Sequence, residues 1–240
     1  MTTTPFDALA FRRLSGGRRG RHRRALAAAA LCAAIGALAG GCAQRPAVPE
    51  WQMNAHGAAD KATEAYLSGA DRVAAQEWRR ARSEVARTAR PDWLARVVLL
   101  ECAARVASLA PAGCADFEPL RADAAPAERA YADYLAGRVD PAAAALLPPA
   151  QQSVQAGGAS ALPAVADPLA RLVAAGVLMV QGRATPEAAR LAIDAASAQG
   201  WRRPLMAWLS WAAERAAERG DAAEAEGLRR RLEVLERSGG

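Results

Sequence analysis

An all-α body is what this chain predicts, and three observations carry the prediction. Apolar residues recur at i, i+3, i+4 and i+7 through most of the chain beyond residue 57. No stretch shows the period-two alternation of a strand. Proline, glycine and aspartate punctuate the periodic segments where helices would begin and end. The expected architecture is a set of antiparallel helical hairpins joined by short turns, arranged either as a superhelix of repeats or as an irregular helical bundle.

The first 41 residues are set apart from that body. Arg12, Arg13, Arg18, Arg19, Arg21, Arg23 and Arg24 face a single acid, Asp7, and no charge occurs from Ala25 to Gly41. A basic segment, an apolar segment and then small residues form, in that order, a secretory signal. As a membrane span the stretch is poor, being rich in alanine and glycine and short of the roughly 18 to 20 apolar residues that a crossing needs. Its end, Leu38-Ala39-Gly40-Gly41-Cys42, resembles the lipobox of bacterial lipoproteins, over these five residues. The resemblance implies diacylglyceryl transfer to the Cys42 thiol, cleavage after Gly41 and acylation of the new amino terminus. Several acyl chains on one residue exceed the two signals that stable anchoring requires. Ala43 stands where an aspartate holds many such lipoproteins at the inner membrane, so the resemblance points to the outer membrane, with the body facing the periplasm. Neither Arg12-Arg13 nor Arg18-Arg19 is followed by the Phe-Leu of a twin-arginine export signal.

The formal net charge of +6 belongs to this segment. Without its seven arginines and one aspartate, 24 basic residues meet 24 acidic ones. The high isoelectric point therefore gives no reason to expect a nucleic-acid partner. Roughly 185 residues suffice for one domain with a sizeable core, or for two small ones. The chain has 6 Trp but only 3 Phe and 3 Tyr, and alanine dominates the apolar positions, so helices are expected to approach closely through small side chains.

Residues 43–54, with two prolines and little periodicity, read as a tether reaching about 35 Å from the membrane. Residues 58–68 and 71–88 form a first hairpin turning at Gly69-Ala70-Asp71, with Ala74, Trp78, Ala81 and Val85 on one stripe. Pro91 starts a third helix with Trp93, Val97, Leu100 and Ala104 inside and Arg96, Glu101, Arg105 and Ser108 outside. A long connection comes next, then a helix from Ala127 to Ala136 that stops at Gly137. Asp140-Pro141 is expected to open a short alanine-rich helix. Residues 148–167, rich in Gly, Pro, Ser and Gln, read as a linker between an N-terminal half, 55–147, and a C-terminal half, 168–240.

The C-terminal half has clearer signals. Asp167-Pro168 starts a helix whose Leu169, Leu172, Val173, Gly176, Val177 and Val180 make it the most buried one expected. Thr185-Pro186 starts the next. Residues 202–219 place Leu205, Trp208, Leu209 and Ala212 on one face, and Asp221 with Glu224 forms an acidic capping box for a last helix with Ala225, Leu228, Leu232 and Leu235 inside. Two segments resemble the tetratricopeptide repeat. Gly69, Ala74, Trp78 and Ala81 fall on its turn glycine and second-helix spacing, and residues 220–225 are similar to its turn. The first-helix pattern is displaced in both, and no 34-residue period joins them.

Candidate chemistry is sparse. His56 is the one histidine after residue 41, with no cysteine or second histidine near it in sequence, so neither a metal site nor a Ser-His-Asp arrangement is expected, and no cofactor. Carboxylate pairs suited to acid-base work on a glycan are the remaining enzymatic option. Cys102 and Cys114 are the thiols left once Cys32 is cut away and Cys42 is lipidated. Cys102 sits about seven residues before its helix ends, a rise of roughly 10 Å. The next five residues can double back about 16 Å, so a disulfide is geometrically possible; two unpaired thiols are the alternative. Trp201, Trp208 and Trp211 repeat at spacings of seven and three, and with Trp78 and Trp93 they form either core or a groove for a partner.

These readings converge on an outer-membrane lipoprotein whose helical body serves as an adaptor or assembly factor for an envelope protein complex. It contacts the membrane through its N-terminal lipid, and Trp78, Trp201, Trp208 and Trp211 are the candidate partner-binding residues. A cell-wall-active or polysaccharide-modifying enzyme and a pilotin-like escort for a secretion channel are the alternatives.

Overall fold

The computed structural model describes residues 48–110 and 113–237. Cys42 and the signal segment lie outside the described residues. Among those described, nine α-helices form an all-α, bundle-like fold without strands.

α1 (Glu50–Ser68) and α2 (Asp71–Ala86) make the first hairpin. α1 ends where Gly69 takes the left-handed conformation, φ 89°, which lets the Ala70 N–H reach back to the Ala65 carbonyl at 2.7 Å. Ala55, Ala58, Ala59, Ala62 and Ala65 of α1 are buried, as are Ala74, Trp78, Ala81 and Val85 of α2. Methyl groups on one helix leave room for the single indole on the other. α1 begins at Glu50, eight residues earlier than the periodicity suggests, so the segment read as a tether gives up its last five residues to the helix.

α3 (Pro91–Ala107) is buried on more than one face, and Ser108, expected outside, is also buried. It packs against α1 and α2 on one side and crosses α6 (Pro168–Val180) on the other. Among the described residues, the α3–α6 crossing is the tightest to which a glycine contributes. A Cβ placed on Gly176 would lie 2.2 Å from the Val106 carbonyl oxygen. α6 is nearly all core, with Leu169 and every residue from Leu172 to Leu178 buried. Its start is capped by Asp167, whose carboxylate accepts from the Ala170 N–H at 2.6 Å.

Between α3 and α6 the chain is mostly short-range structure. A 3-10 stretch, Ala115–Leu120, carries the buried Phe117, and α4 (Pro126–Leu135) comes after it. Residues after Asp140 turn instead of forming the expected helix. Asp140 Oδ1 accepts from the Ala142 N–H at 2.9 Å, and a single 3-10 turn, Ala144–Leu146, completes the segment. This is an Asx turn winning over helix initiation. The stretch read as a linker is packed: α5 (Pro149–Gly157), a 3-10 segment, Gly158–Ala164, and the residue after it bury Val154, Leu162 and Val165 against the core around α6 and α7.

α7 (Pro186–Gln199), α8 (Arg202–Glu218) and α9 (Ala222–Arg237) pack in sequence order. Thr185 caps α7 by accepting from Ala188 N–H at 3.1 Å, and Asp221 caps α9 by accepting from Glu224 N–H at 2.9 Å. α9 is the least buried helix: Ala225 is its one fully buried residue, while Leu228, Leu232 and Leu235 are only partly covered.

Candidate partner-binding surface and the cysteine cleft

The candidate tryptophans divide into buried and half-buried. Trp208 is 0% exposed and donates its indole N–H to the Ala107 carbonyl at 3.1 Å, stitching α8 to the end of α3. Trp78 is 4% exposed, inside the α1–α2 layer. Trp201 is buried as well, at the start of α8, and its Nε1 donates to Glu64 Oε2 of α1 at 2.8 Å. These three were candidate anchors for a partner, and the structure assigns them to the core. Their amphipathic rings hold helix to helix, each indole body filling the space that small alanines leave.

Trp211 differs. It is half-buried and edge-on to Trp208 with ring centroids 6.1 Å apart, and α9, whose Leu228, Leu232 and Leu235 are partly covered, packs against its helix. Of the four sequence candidates it is the one that keeps apolar surface available.

Arg203, beside Trp201, was not singled out in the sequence. Its Nε donates to the Tyr66 carbonyl at 2.6 Å, its guanidinium lies 4.3 Å from the Tyr66 ring centroid, and it pairs with Asp71. A cation thus meets the carbonyl end of α1, where the helix dipole is negative. Burial raises the Tyr66 pKa above its ordinary value, against the opposing pull of Arg203.

Cys102 of α3 and Cys114 are joined by a disulfide, with Cα atoms 5.7 Å apart. Beside it lies a cleft of about 40 Å3 lined by Arg82, Glu101, Arg105 and Asp116. Arg82 donates to Glu101 at 2.6 Å and to Asp116 at 3.3 Å, while Arg105 takes the other oxygen of Glu101. The cleft has room for a few waters. The carboxylate pair in it is bridged by the Arg82 guanidinium, an arrangement that fixes the loop carrying Cys114 to α2 and α3. Among the described residues, no group of three or more His, Cys, Asp or Glu side chains is placed to hold a metal ion. No described helix is long and apolar enough to cross a membrane.

A second aromatic group stands at the other end of α1. Trp51 and Trp93, both half-buried, meet edge to face with centroids 5.4 Å apart. The Arg96 and Arg90 guanidiniums lie 4.9 and 5.8 Å from the Trp93 ring centroid. Asp92 grips Arg90 with both oxygens, and that hydrogen bonding lowers the Asp92 pKa below its ordinary value. Trp51 went unremarked in the sequence because it falls in the proline-bearing segment. The signal was present: Trp51, Ala55, Ala58, Ala62 and Ala65 repeat at spacings of four, three, four and three.

Comparison of the chain with protein-family models, curated proteins and solved structures finds no match.

Proposed function

We propose that this chain is a lipoprotein of the outer membrane, cut after Gly41 and lipidated on Cys42, whose helical body works in the periplasm as an adaptor or assembly factor for an envelope protein complex. The observation that supports the anchoring is the order of the first 42 residues: seven arginines, an uncharged stretch from Ala25 to Gly41, and Leu38-Ala39-Gly40-Gly41-Cys42 at its end. Adaptor work is supported by the half-buried Trp211 of α8 and by the incompletely covered leucines of α9, the helix packed against it. An aromatic ring with a polar tip, standing half-buried on a helix pair, is the kind of residue on which helical grooves take a partner helix or peptide.

Two measurements test the two halves. Labelled palmitate should enter the wild-type chain and not Cys42→Ser, which should also remain uncut; label retained by the variant rejects the lipoprotein reading. Crosslinking through a photoreactive group at position 211 in intact cells should trap one dominant envelope protein. A spread of products no different from that at exposed Arg229 would reject the adaptor reading.

A further inference from the structure

Six peptide steps separate Cys42 from Val48, the first described residue, a reach of at most about 20 Å when fully extended. α1 begins two residues later and is 19 residues long, about 28 Å. A chain held in a bilayer at Cys42 therefore keeps the first turn of α1 close to the headgroups, whereas the Ser68 end lies a helix length away. α1 and α3 start at the same end of the body, since α2 returns the chain between them and Trp51 touches Trp93 across their first turns.

That end is apolar and aromatic. Val48 is 52% exposed and Met53 56% exposed, two of the most exposed large hydrophobic residues described; with the half-buried Trp51 and Trp93 they ring the start of α1, Met53 on the side of the helix away from Trp51. Its described cations are matched, Arg87 with Glu84 at 3.3 Å, Arg90 with Asp92 at 2.7 Å and Arg96 with Glu128 at 2.7 Å, and the exposed Glu50 adds one acid in the first turn of α1. Tryptophan is enriched at membrane interfaces because its ring is apolar and its N–H is wet, and paired guanidiniums add stems that tolerate the same layer.

We propose that the body docks this end, Val48, Trp51, Met53 and Trp93, into the phospholipid headgroup layer of the membrane that anchors it, which fixes the bundle's orientation instead of leaving it to swing on a loose tether. The proposal rests on the lipidation of Cys42 proposed for the anchor. Because Arg87, Arg90 and Arg96 are already paired, the contact these residues make depends on apolar and aromatic burial and should be insensitive to salt.

The test uses the full lipidated chain, reconstituted in vesicles of phosphatidylcholine with or without bromine on the acyl chains, with labelled palmitate on Cys42 read in the same preparation. Brominated vesicles should quench part of the tryptophan emission. Most of that quenching should vanish in Trp51→Phe/Trp93→Phe and persist in Trp211→Phe. Val48→Glu/Met53→Glu, which alters exposed positions and spares the aromatic pair, should lose it as well with an unchanged melting curve. Palmitate on Cys42 with no quenching, or with quenching that all variants share, overturns the docking and leaves the anchor standing. Absence of palmitate overturns the anchor and the docking with it. Quenching that collapses in high salt assigns the contact to charge and overturns the aromatic surface.

Discussion

The indole nitrogen of Trp201 and the carboxylate of Glu64 lie 2.8 Å apart, although 137 positions separate them in the chain. The bond joins the start of α8 to α1, and Arg203 reinforces it by holding the Tyr66 carbonyl two residues beyond Glu64. The N-terminal hairpin is thereby fixed to the C-terminal helices by direct contact.

The bond has a measurable coupling energy. Trp201→Phe keeps a large ring and removes the donor, and Glu64→Gln keeps the acceptor shape without the charge. Hydrogen bonds to charged groups contribute about 1.5–3 kcal/mol, but Glu64 is exposed, so screening should leave a coupling of about 1 kcal/mol in a double-mutant cycle by denaturant unfolding. Additive effects of the two changes would mean that the charge on Glu64 adds nothing to the bond.

Trp208 and Trp211 touch and should nevertheless behave as opposites. Trp208→Ala removes a fully buried ring and leaves the Ala107 carbonyl unpaired, so it should cost roughly 3–5 kcal/mol of stability. Trp211→Ala loses only half-buried surface. Its melting curve should move little, while affinity for the crosslinked partner should fall by about 2 kcal/mol or more, the usual size for an aromatic anchor. Equal losses of stability in the two variants would reassign Trp211 to the core.

How much of the fold and the candidate site was legible in the sequence depended on whether a signal was local. α6 was plain because Asp167-Pro168 supplies cap and first residue together and the stripe behind it is buried through Val177, although Val180, expected on it, is exposed. α7 and α9 were plain for the same kind of reason, through Thr185 and Asp221. Residues 148–167 were opaque: Val154, Leu162 and Val165 are too sparse to show a period among glycines and prolines, so packing against the core around α6 and α7 overrides composition. The start of α1 was hidden by Pro46 and Pro49, although a proline just before the first turn is compatible with a helix. Aromatic spacing shows which residues share a face and is silent on what covers that face. Trp201 and Trp208 therefore looked the same as Trp211 until Glu64 and Ala107 were placed against them.

The Cys102–Cys114 bond closes a loop of sequence separation 12, which corresponds to about 3 kcal/mol of stabilisation in the chain-entropy view. Protein denatured without reductant should show neither thiol to an alkylating reagent. Cys102→Ala/Cys114→Ala should lose stability of about that size and loosen Asp116 from Arg82, which hydrogen exchange of residues 115–120 would report. Ready alkylation of both thiols without reductant would show the bond to be absent from the folded chain.

Two single substitutions should move stability against simple helix propensity. Gly176→Ala adds a methyl group to a helix interior, worth up to about 1 kcal/mol in an isolated helix. Here the new Cβ would stand 2.2 Å from the Val106 carbonyl oxygen, and backbone cannot swing aside as a flexible side chain does. The α3–α6 crossing would have to open, and the net result should be a loss of roughly 1–3 kcal/mol. Ala89→Gly is the converse. Ala89 takes φ 51° in the turn between α2 and α3, a left-handed conformation that costs an L-residue about 1–2 kcal/mol and glycine almost nothing. The greater freedom of an unfolded glycine returns part of that gain. Ala89→Gly should therefore leave stability unchanged or raise it by up to about 1 kcal/mol, even though glycine is the poorer helix former. Urea midpoints for the two variants decide the matter: a stabilised Gly176→Ala would mean that α3 and α6 do not approach as closely as the Val106 contact requires.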